Sequence, residues 1–478
     1  MAEAHLQLGE TAQGITILET VLHDSPDNQA AQSMLFYTYL DSDRFDLAAA
    51  LIARLVAAIE TEDDTKLDRA PWSLQMSAML AAYTNDLATA ADQLQTLAAR
   101  YPDDSDVLLK QALVDRWRGL PTKALQKYQH LLSNHVDHLE SRVGEVDALM
   151  AQREYASVGE KLLALEHDHL DHPEVNRLKR NWAIHNRYEL DSRVQYGRGE
   201  NSVLSNSDLM LDTRLFSKPY RHNYRVYGRH IDSWANLPGD EGRGRMHRVG
   251  AGLEQRSRQL NWQAEVSQSV IDDGNLGVSL AGSFMPNDNW TFAGDVQTYS
   301  LATPLRAIND GIDGKSASAS AVYRWHESRS AKMNYSVLDL SDGNRRQAMS
   351  AAYTHSIYAD SVHQWSLTES VYLSQNSKDD NRLYFNPQQD SSLSLTGHYY
   401  GVLSRSASRR WTHRLSMGVG LYRQKKYSSK SIWDVDYEQK WSLDNDLNVS
   451  YGVLYKHRSY DGAGENYRAI YGAVNWRF

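Results

Sequence analysis

The feature that most constrains the fold is an alternation of apolar and polar residues, which recurs in sixteen segments after residue 187. Leu447, Val449 and Tyr451 show the pattern, since a polar residue follows each of the first two. A period of two residues is typical of a β-strand with two different faces. The segments begin near residues 188, 207, 222, 245, 259, 275, 289, 315, 331, 345, 362, 391, 410, 431, 446 and 465. Their spacing of about 18 residues suits a membrane-spanning strand of about 10 residues plus a turn.

The connections between these segments also differ in length. Short polar connections follow even-numbered segments, at residues 256–259, 285–289, 326–330 and 442–446. Longer ones follow odd-numbered segments, at residues 232–244, 301–314 and 377–390. Short turns at one end and long loops at the other are typical of an outer-membrane barrel with both termini in the periplasm. The last segment ends in Phe478 and resembles the β-signal that the outer-membrane assembly machinery reads.

The composition favours a membrane barrel over a soluble β-sandwich. No run approaches the roughly 18 apolar residues of a membrane helix, and 31 of the 40 Tyr and Trp residues follow residue 186. Tyr and Trp are the residues that form girdles at membrane interfaces. The absence of cysteine excludes disulfides and thiol-ligated metals. The formal net charge of −9 divides into −13 for residues 1–186 and +4 for the remainder, which disfavours a nucleic-acid-binding protein.

The first part of the chain repeats with the tetratricopeptide (TPR) period. Small residues recur at Gly14, Ala48, Ala90, Ala124 and Val158, in steps of 34, 42, 34 and 34 residues. Thirty-four residues is the TPR repeat length, and an acidic insertion at 61–68 explains the long step. The predicted fold class is therefore α+β multidomain: a TPR α-solenoid over residues 1–186 and a sixteen-stranded antiparallel transmembrane β-barrel over 187–478. Because Met1 falls inside the first helix of a repeat and no signal peptide is present, we expect the native protein to extend further toward its N-terminus.

Carboxylates in the predicted lumen are the candidate binding residues. In a spanning strand the apolar face meets lipid, so the alternate residues point inward. This rule places ten acidic residues in the lumen: Glu189, Asp191, Asp208, Asp212, Glu254, Glu265, Asp295, Asp434, Asp436 and Glu438. It also places six arginines there: Arg193, Arg214, Arg225, Arg229, Arg248 and Arg414.

Two interpretations of these inward charges remain open. The charges pair with one another in a water-filled pore, or the acids guide a cationic or polyhydroxylated substrate. We expect the acids of segment 14 and of segment 1 to lie on the same side of the lumen and to have no buried partner. Glu369 breaks the pattern, because it falls in phase with Trp365 and Val371, and a bulge or an error in segmentation would explain it.

No catalytic signature is present in the sequence. The chain lacks a G-x-S-x-G elbow, an HExxH motif and a glycine-rich phosphate loop. His167, His169 and His172 crowd a predicted helix end, where histidine more often favours the helix dipole than binds a metal. We therefore expect no enzyme activity, no cofactor and no metal site.

The combination of a periplasmic TPR array and a sixteen-stranded barrel resembles the outer-membrane exopolysaccharide exporters, in particular the PgaA/HmsH family. The resemblance implies export of partially de-N-acetylated poly-β-1,6-N-acetyl-D-glucosamine for biofilms, with the barrel as exit pore. It also implies that the TPR domain docks a periplasmic polysaccharide deacetylase. The polymer carries free amines, so the acidic helical half has the sign that attraction requires. Cellulose exporters of the BcsC type, other polysaccharide exporters, and a TPR-anchored receptor remain alternatives.

Overall fold

The computed structural model describes residues 1–7, 10–60, 70–200, 205–238, 242–271, 274–379, 383–406 and 408–478. The predicted acidic insertion at 61–68 lies outside these residues. The chain forms two compact units. The first comprises Met1–Arg118, Gln126–Ser141 and Ala359–Ser361, and the second comprises Gly119–Leu125, Arg142–Tyr358 and Val362–Phe478. The predicted domain boundary at residue 186 lies between the last helix before the barrel, which ends at His185, and the first strand, which begins at Glu189. The compact units divide the chain differently, because the second unit also includes the helical residues from Arg142 onward.

The N-terminal half is helical, as the repeat period predicts. The helices are α1 (Ala2–Gln7), α2 (Thr11–Asp24), α3 (Gln29–Asp41), α4 (Phe45–Glu60), α5 (Ala70–Tyr83), α6 (Leu87–Arg100), α7 (Ser105–Trp117), α8 (Pro121–Asn134), α9 (Leu139–Ala151), α10 (Tyr155–Asp168) and α11 (Pro173–His185). Ala48, Ala90, Ala124 and Val158 are completely buried. The small residues that set the period therefore allow neighbouring helices to pack closely. No helix of the described residues is long and apolar enough to cross a membrane.

The C-terminal half is a closed barrel of sixteen strands, which confirms the predicted architecture. The strands are β1 (Glu189–Glu200), β2 (Ser207–Phe216), β3 (Tyr224–Asn236), β4 (Arg243–Arg256), β5 (Leu260–Ser269), β6 (Leu276–Phe284), β7 (Trp290–Gln297), β8 (Gly314–His326), β9 (Arg329–Leu340), β10 (Arg345–Ala359), β11 (His363–Asn376), β12 (Gln389–Arg405), β13 (Arg409–Gln424), β14 (Lys430–Leu443), β15 (Leu447–Tyr460) and β16 (Ala463–Arg477). Each strand lies beside its sequence neighbours, and β1 pairs with β16. Alternate positions face outward, where residues such as Leu393 and Val419 are more than 60% exposed.

The two ends of the barrel differ in their connections. At the terminal end the barrel begins and ends, and the backbones of Tyr188 and Phe478 exchange two hydrogen bonds there. At the opposite, far end, 16 residues separate β7 from β8 and 12 separate β11 from β12, and the described parts of these connections are 298–313, 377–379 and 383–388. Long connections were expected at both places. The far-end connections 341–344 and 461–462 are short instead. Gly343 and Gly462 adopt positive φ angles of 86° and 81° there, which only glycine adopts without strain and which tight turns require.

The two long far-end connections fold together over the barrel. Helix α12 (Leu305–Asn309) interrupts the first of them and packs against β4. Ala307 and Ile312 of this connection, Leu340 of β9 and Tyr384 of the second connection form a buried apolar cluster. The cluster fixes both connections across the far end of the lumen, because it buries side chains from each of them.

Candidate functional site

Most of the predicted lumen acids form ion pairs with arginine. Glu189 is only 5% exposed. Its Oε2 lies 2.7 Å from Arg225, 3.2 Å from Arg256 and 3.5 Å from Arg477. Glu254 lies 2.8 Å from Arg256 in the same group. The expectation that the acids of β1 have no buried partner is therefore wrong for Glu189, whose charge balances the buried guanidinium group of Arg225 at the terminal end.

A second group of pairs cross-links β2, β3 and β5. Arg229 donates to both carboxylate oxygens of Asp212, with Nε at 2.9 Å and Nη2 at 2.7 Å. Its Nη1 lies 3.3 Å from Glu265. Two-pronged contacts of this kind fix the guanidinium plane, so Arg229 holds both acids in place.

The three acids of β14 are also paired. Arg414 on β13 lies 3.0 Å from Asp436 and 3.8 Å from Glu438, and Arg458 on β15 lies 3.2 Å from Asp434. Pairing between inward charges, one of the two interpretations left open, therefore applies to these acids as well. Their role in substrate binding stays a prediction.

The acids of β14 and β1 lie on the same side of the barrel, on strands that β15 and β16 separate, but at different depths. The register relates Glu438, across β15 and β16, to Gln195 of β1. Asp191 lies two inward positions nearer the terminal end than Gln195. Arg193 and Lys440 occupy the row between them, and Arg193 is 3.5 Å from Asp191. Cations therefore separate the two acidic groups.

Two of the predicted acids, Asp208 and Asp295, are hydrogen-bonded by neutral groups. Asp208 accepts from the Tyr467 hydroxyl at 2.9 Å and from Ser205 at 3.1 Å. Asp295 accepts from the Ser318 hydroxyl and from the Gln297 amide at 3.1 Å. Neither carboxylate has an ion-pair partner among the residues that the structure describes. Their negative charges are therefore available to a ligand.

Asp390 is a third carboxylate of this kind, and the sequence analysis missed it. It accepts hydrogen bonds from Ser374 and, at 3.2 Å, from Tyr422. The described residues offer it no cationic partner. The sequence pattern predicts a strand that starts near residue 391, which leaves Asp390 in the preceding loop. Its phase with Ser392 and Ser394, which alternate with Leu393 and Leu395, is the signal that would have placed it in the lumen.

The lumen has two walls of different chemistry. The charged wall consists of the paired acids and arginines of β1–β5 and β13–β16. The hydroxyl wall consists of the small inward residues of β6–β12: Ser279, Ser283, Thr291, Ser316, Ser318, Ser320, Ser330, Ser336, Ser350, Thr354, Ser366, Thr368, Ser370, Ser374, Ser392, Ser394 and Thr396. Thr354 and Thr368, whose hydroxyls lie 2.9 Å apart, show that these residues share one face. Asp295 and Asp390 lie within this wall.

A cavity of about 640 Å³ occupies the far end of the lumen. Asp208 and Asp390 both line it. The aromatic residues around it are Tyr372, Tyr384, Phe385, Tyr422 and Tyr460. Carboxylates and aromatic rings around one space can bind a polar ligand that also has apolar faces, because each face meets a matching surface.

Glu369 faces away from the lumen. Strand β11 pairs with β12 without a register shift at Glu369, which lies opposite Leu395. Its neighbours on the same face are Trp365 and Val371, both more than a third exposed. The bulge considered from the sequence is absent here, and the residue lies on the outer surface.

Helix α11 packs against the β2–β3 turn at the terminal end. The His185 ring stacks on Tyr155, with ring centroids 3.8 Å apart, and its Nε2 lies 3.0 Å from the carbonyl oxygen of His222. Burial lowers the pKa of His185 to about 4, so its ring is neutral at pH 7. His167 of the predicted histidine cluster contacts Asp168 at 3.0 Å. The described ranges contain no group of three metal-ligating side chains.

Comparison with known proteins places this fold in a recognised family. Residues 184–478 match the family described as "PgaA membrane beta barrel domain", and residues 5–64 match a tetratricopeptide repeat family. The chain is 26% identical over 476 residues to the "Poly-beta-1,6-N-acetyl-D-glucosamine export protein" of Escherichia coli (strain K12) and to that of Escherichia coli O157:H7. These matches cover 96% of this chain and 58% of each relative, so the chain spans less than two thirds of their length.

A solved structure shares the barrel. The protein described as "Bacterial polysaccharide outer membrane secretin" superposes with a TM-score of 0.58 and 27% sequence identity, over 62% of this chain and 99% of that chain. The family match and this superposition establish an outer-membrane barrel with a helical-repeat region before it. The terminal end is therefore periplasmic and the far end extracellular. The chain belongs to the PgaA membrane β-barrel family.

Proposed function

We propose that this chain is a non-enzymatic porin that exports partially de-N-acetylated poly-β-1,6-N-acetyl-D-glucosamine through its lumen. The similar proteins, described as a poly-β-1,6-N-acetyl-D-glucosamine export protein and a polysaccharide outer membrane secretin, support a polysaccharide as cargo. The observation that carries the proposal is the set of three lumen carboxylates, Asp208, Asp295 and Asp390, that are held by hydroxyl and amide donors instead of cations. A polymer with free amines can pair with such carboxylates without first breaking an internal ion pair.

The hydroxyl wall supports the same cargo for a second reason. Ser and Thr hydroxyls donate and accept hydrogen bonds, so they can exchange partners with sugar hydroxyls at each step of a moving chain. Their small side chains leave room on that side of the lumen. Passage through a pore requires contacts that are favourable enough for entry and weak enough for release. Many single hydroxyl contacts and three dispersed carboxylates meet this requirement.

Cellulose export is the second candidate, and the ion pairs favour it. Eight of the ten acids predicted from sequence are paired with arginine. Because these opposite charges cancel, the charged wall exerts only a weak electrostatic field on the lumen. A neutral polymer needs no unpaired carboxylate. The two cargoes therefore differ in how export responds when the three carboxylates are neutralised.

The test is the combined variant Asp208→Asn, Asp295→Asn and Asp390→Asn. Each asparagine keeps one acceptor oxygen and places an NH2 donor where the second carboxylate oxygen stood. The facing hydroxyl or side-chain amide can turn to accept from that donor, so we expect the barrel to fold. We expect a lower cation-over-anion permeability ratio, measured from reversal potentials in planar bilayers, and reduced secretion of the de-N-acetylated polymer from cells. Glu369→Gln removes a carboxylate from the outer surface and is the matched control. Unchanged selectivity and secretion in the folded triple variant would refute the proposal and favour a neutral cargo.

We also propose that the TPR region docks a periplasmic polysaccharide deacetylase. TPR stacks form concave surfaces that bind partners, and residues 1–186 carry a formal charge of −13. Attraction between exposed charges weakens as salt screens them. We expect the full chain to retain a deacetylase on an affinity column at low ionic strength and to release it as salt rises. Retention that does not depend on salt, or no retention, would contradict an electrostatic dock.

A further inference from the structure

The outer surface near the extracellular end carries a cleft of about 600 Å³ that export does not require. We call it the rim cleft. It lies on the outward faces of β9–β13, and the side chains that define it are Tyr335, Gln347, Met349, Gln375, Arg423 and Lys425. The register places these residues in two adjacent outward rows beside the extracellular connections.

The lower row of the rim cleft is largely apolar. Tyr335 lies opposite Met349, and both are more than 40% exposed. One outward step further toward the membrane centre lie Leu393 and Leu421, at least 60% exposed. Two residues along a strand advance about 7 Å, so this row forms the upper edge of the apolar belt. An acyl chain that lies against the belt reaches the floor of the cleft.

The upper row of the rim cleft carries amide groups. Gln347 and Gln375 form a hydrogen bond of 2.8 Å, and Gln389 lies opposite Gln375 on the next strand. A side-chain amide offers two N–H donors and one carbonyl acceptor. The row can therefore bind the hydroxyl and amide groups of a sugar at the membrane surface.

Two cations complete the rim cleft. Arg423 and Lys425 are exposed on β13 and its continuation, and their charged groups form no ion pair or hydrogen bond with any other described residue. Asp379, an acid of the β11–β12 connection, forms its ion pair with Lys426 at 2.7 Å and also attracts Lys425 at longer range. Exposed cations directly above an apolar belt are placed to bind an anionic headgroup. Arg423 ends the lower row on β13 and Lys425 ends the upper, amide row. The cleft thus combines an apolar floor, an amide row above it and positive charge at the β13 end of both rows, which are the groups that an amphipathic, phosphorylated lipid requires.

We propose that the rim cleft binds a phosphorylated glycolipid of the outer leaflet. Arg423 and Lys425 hold its phosphate, the glutamines contact its sugar, and its acyl chain lies against Tyr335 and Met349. A phospholipid supplies the phosphate and the acyl chain but no sugar, so it matches only part of the cleft. The site lies outside the lumen and does not depend on the exported cargo.

The test measures lipid binding to the purified, folded full chain by native mass spectrometry. The probes are bis-phosphorylated lipid A, the same lipid without phosphates, and phosphatidylglycerol. We expect the phosphorylated glycolipid to bind most tightly. In the variant Arg423→Gln, Lys425→Gln we expect its affinity to fall about 30-fold, because each cation near a membrane surface contributes roughly a fivefold factor.

The matched control is Arg409→Gln. Arg409 lies on the same face of β13 but at the periplasmic end, and it is exposed like Arg423. We expect this variant to bind as the wild type does. Equal affinity for the dephosphorylated lipid, or an unchanged affinity of the double variant, would overturn the proposal. Equal affinity for phosphatidylglycerol would overturn the choice of a glycolipid. The single variant Lys425→Gln, with a loss of about fivefold, provides the same test if the double variant does not fold.

Discussion

The buried Glu189 group allows a quantitative test of the charged wall. The Glu189 and Arg225 side chains are 6% and 2% exposed, and Arg256 and Arg477 lie within 3.5 Å of the same carboxylate oxygen. Glu189→Gln leaves three guanidinium groups without this counter-charge. Removal of one partner from a buried ion pair typically costs about 3–5 kcal/mol, because the remaining charge stays desolvated. We expect a decrease of this size in the free energy of unfolding.

Asp191→Asn on the same strand is the control for this prediction. Its partner Arg193 is 67% exposed and lies 3.5 Å away. Solvent screens such a pair, so its loss costs about 0–1 kcal/mol. The two substitutions make the same chemical change two positions apart, and the expected difference between them is about 3 kcal/mol.

The measurement is urea-induced unfolding of the full chain refolded into phospholipid vesicles, followed by tryptophan fluorescence. The double variant Glu189→Gln, Arg225→Met should recover part of the loss, since it removes both buried charges. Equal midpoints for Glu189→Gln and Asp191→Asn would refute the assignment of Glu189 as a structural counter-ion. So would a double-mutant coupling energy near zero.

Three further predictions concern the ends of the barrel. Burial holds the folded pKa of His185 near 4, below its unfolded value of 6.5. The packing of α11 should therefore lose about 3 kcal/mol of stability as pH falls from about 6.5 to 4. Hydrogen exchange of the α11 amides measures this loss, and His185→Gln should make the stability of α11 less dependent on pH. The Asp288 carboxylate accepts hydrogen bonds from the backbone N–H groups of Thr122 at 3.0 Å and Lys123 at 3.2 Å, in the first turn of α8. Asp288→Ala should therefore destabilise this helix start by about 1 kcal/mol and raise hydrogen exchange at both amides. Asp288→Asn should have a smaller effect. Gly462→Ala places a Cβ at φ 81° in a two-residue hairpin, 2.6 Å from the Tyr427 ring. It should lower the unfolding free energy by about 1–2 kcal/mol from the left-handed backbone alone, whereas Gly397→Ala, at a position where a Cβ meets no atom within 4 Å, serves as its control.

The strands could be predicted because their signal is local. Each spanning strand repeats one rule, with outward residues meeting lipid and inward residues meeting water, so a two-residue period reveals its extent. The expected start of β2 at residue 207 is exact, and β3 begins two residues later than expected. The expected rule of long far-end loops fails before β16, where Asp461 and Gly462 alone connect the last two strands.

The partners of the lumen acids could not be predicted, because they depend on contacts between distant segments. Asp208 accepts from Tyr467, 259 residues away, and nothing near either residue indicates this pairing. Sequence phase assigns a side chain to the lumen but does not distinguish Asp208, with neutral donors, from Asp212, which Arg229 holds at 2.7 Å. The difference arises only when closure fixes the register of every strand.

The seam between β1 and β16 has a consequence for how the barrel forms. Asn475 on β16 donates to Glu189 on β1, and these residues are 286 positions apart. All the other strand pairs join strands that are consecutive in sequence, so they can form as local hairpins. The β1–β16 pair joins the residues that are furthest apart in the barrel sequence, and we therefore expect it to form late. Until then each molecule exposes two unpaired strand edges, which can pair with other chains. Pairing of residues 463–477 with β1 is therefore a precondition for closure, and the partly assembled sheet needs protection from aggregation until that pairing forms.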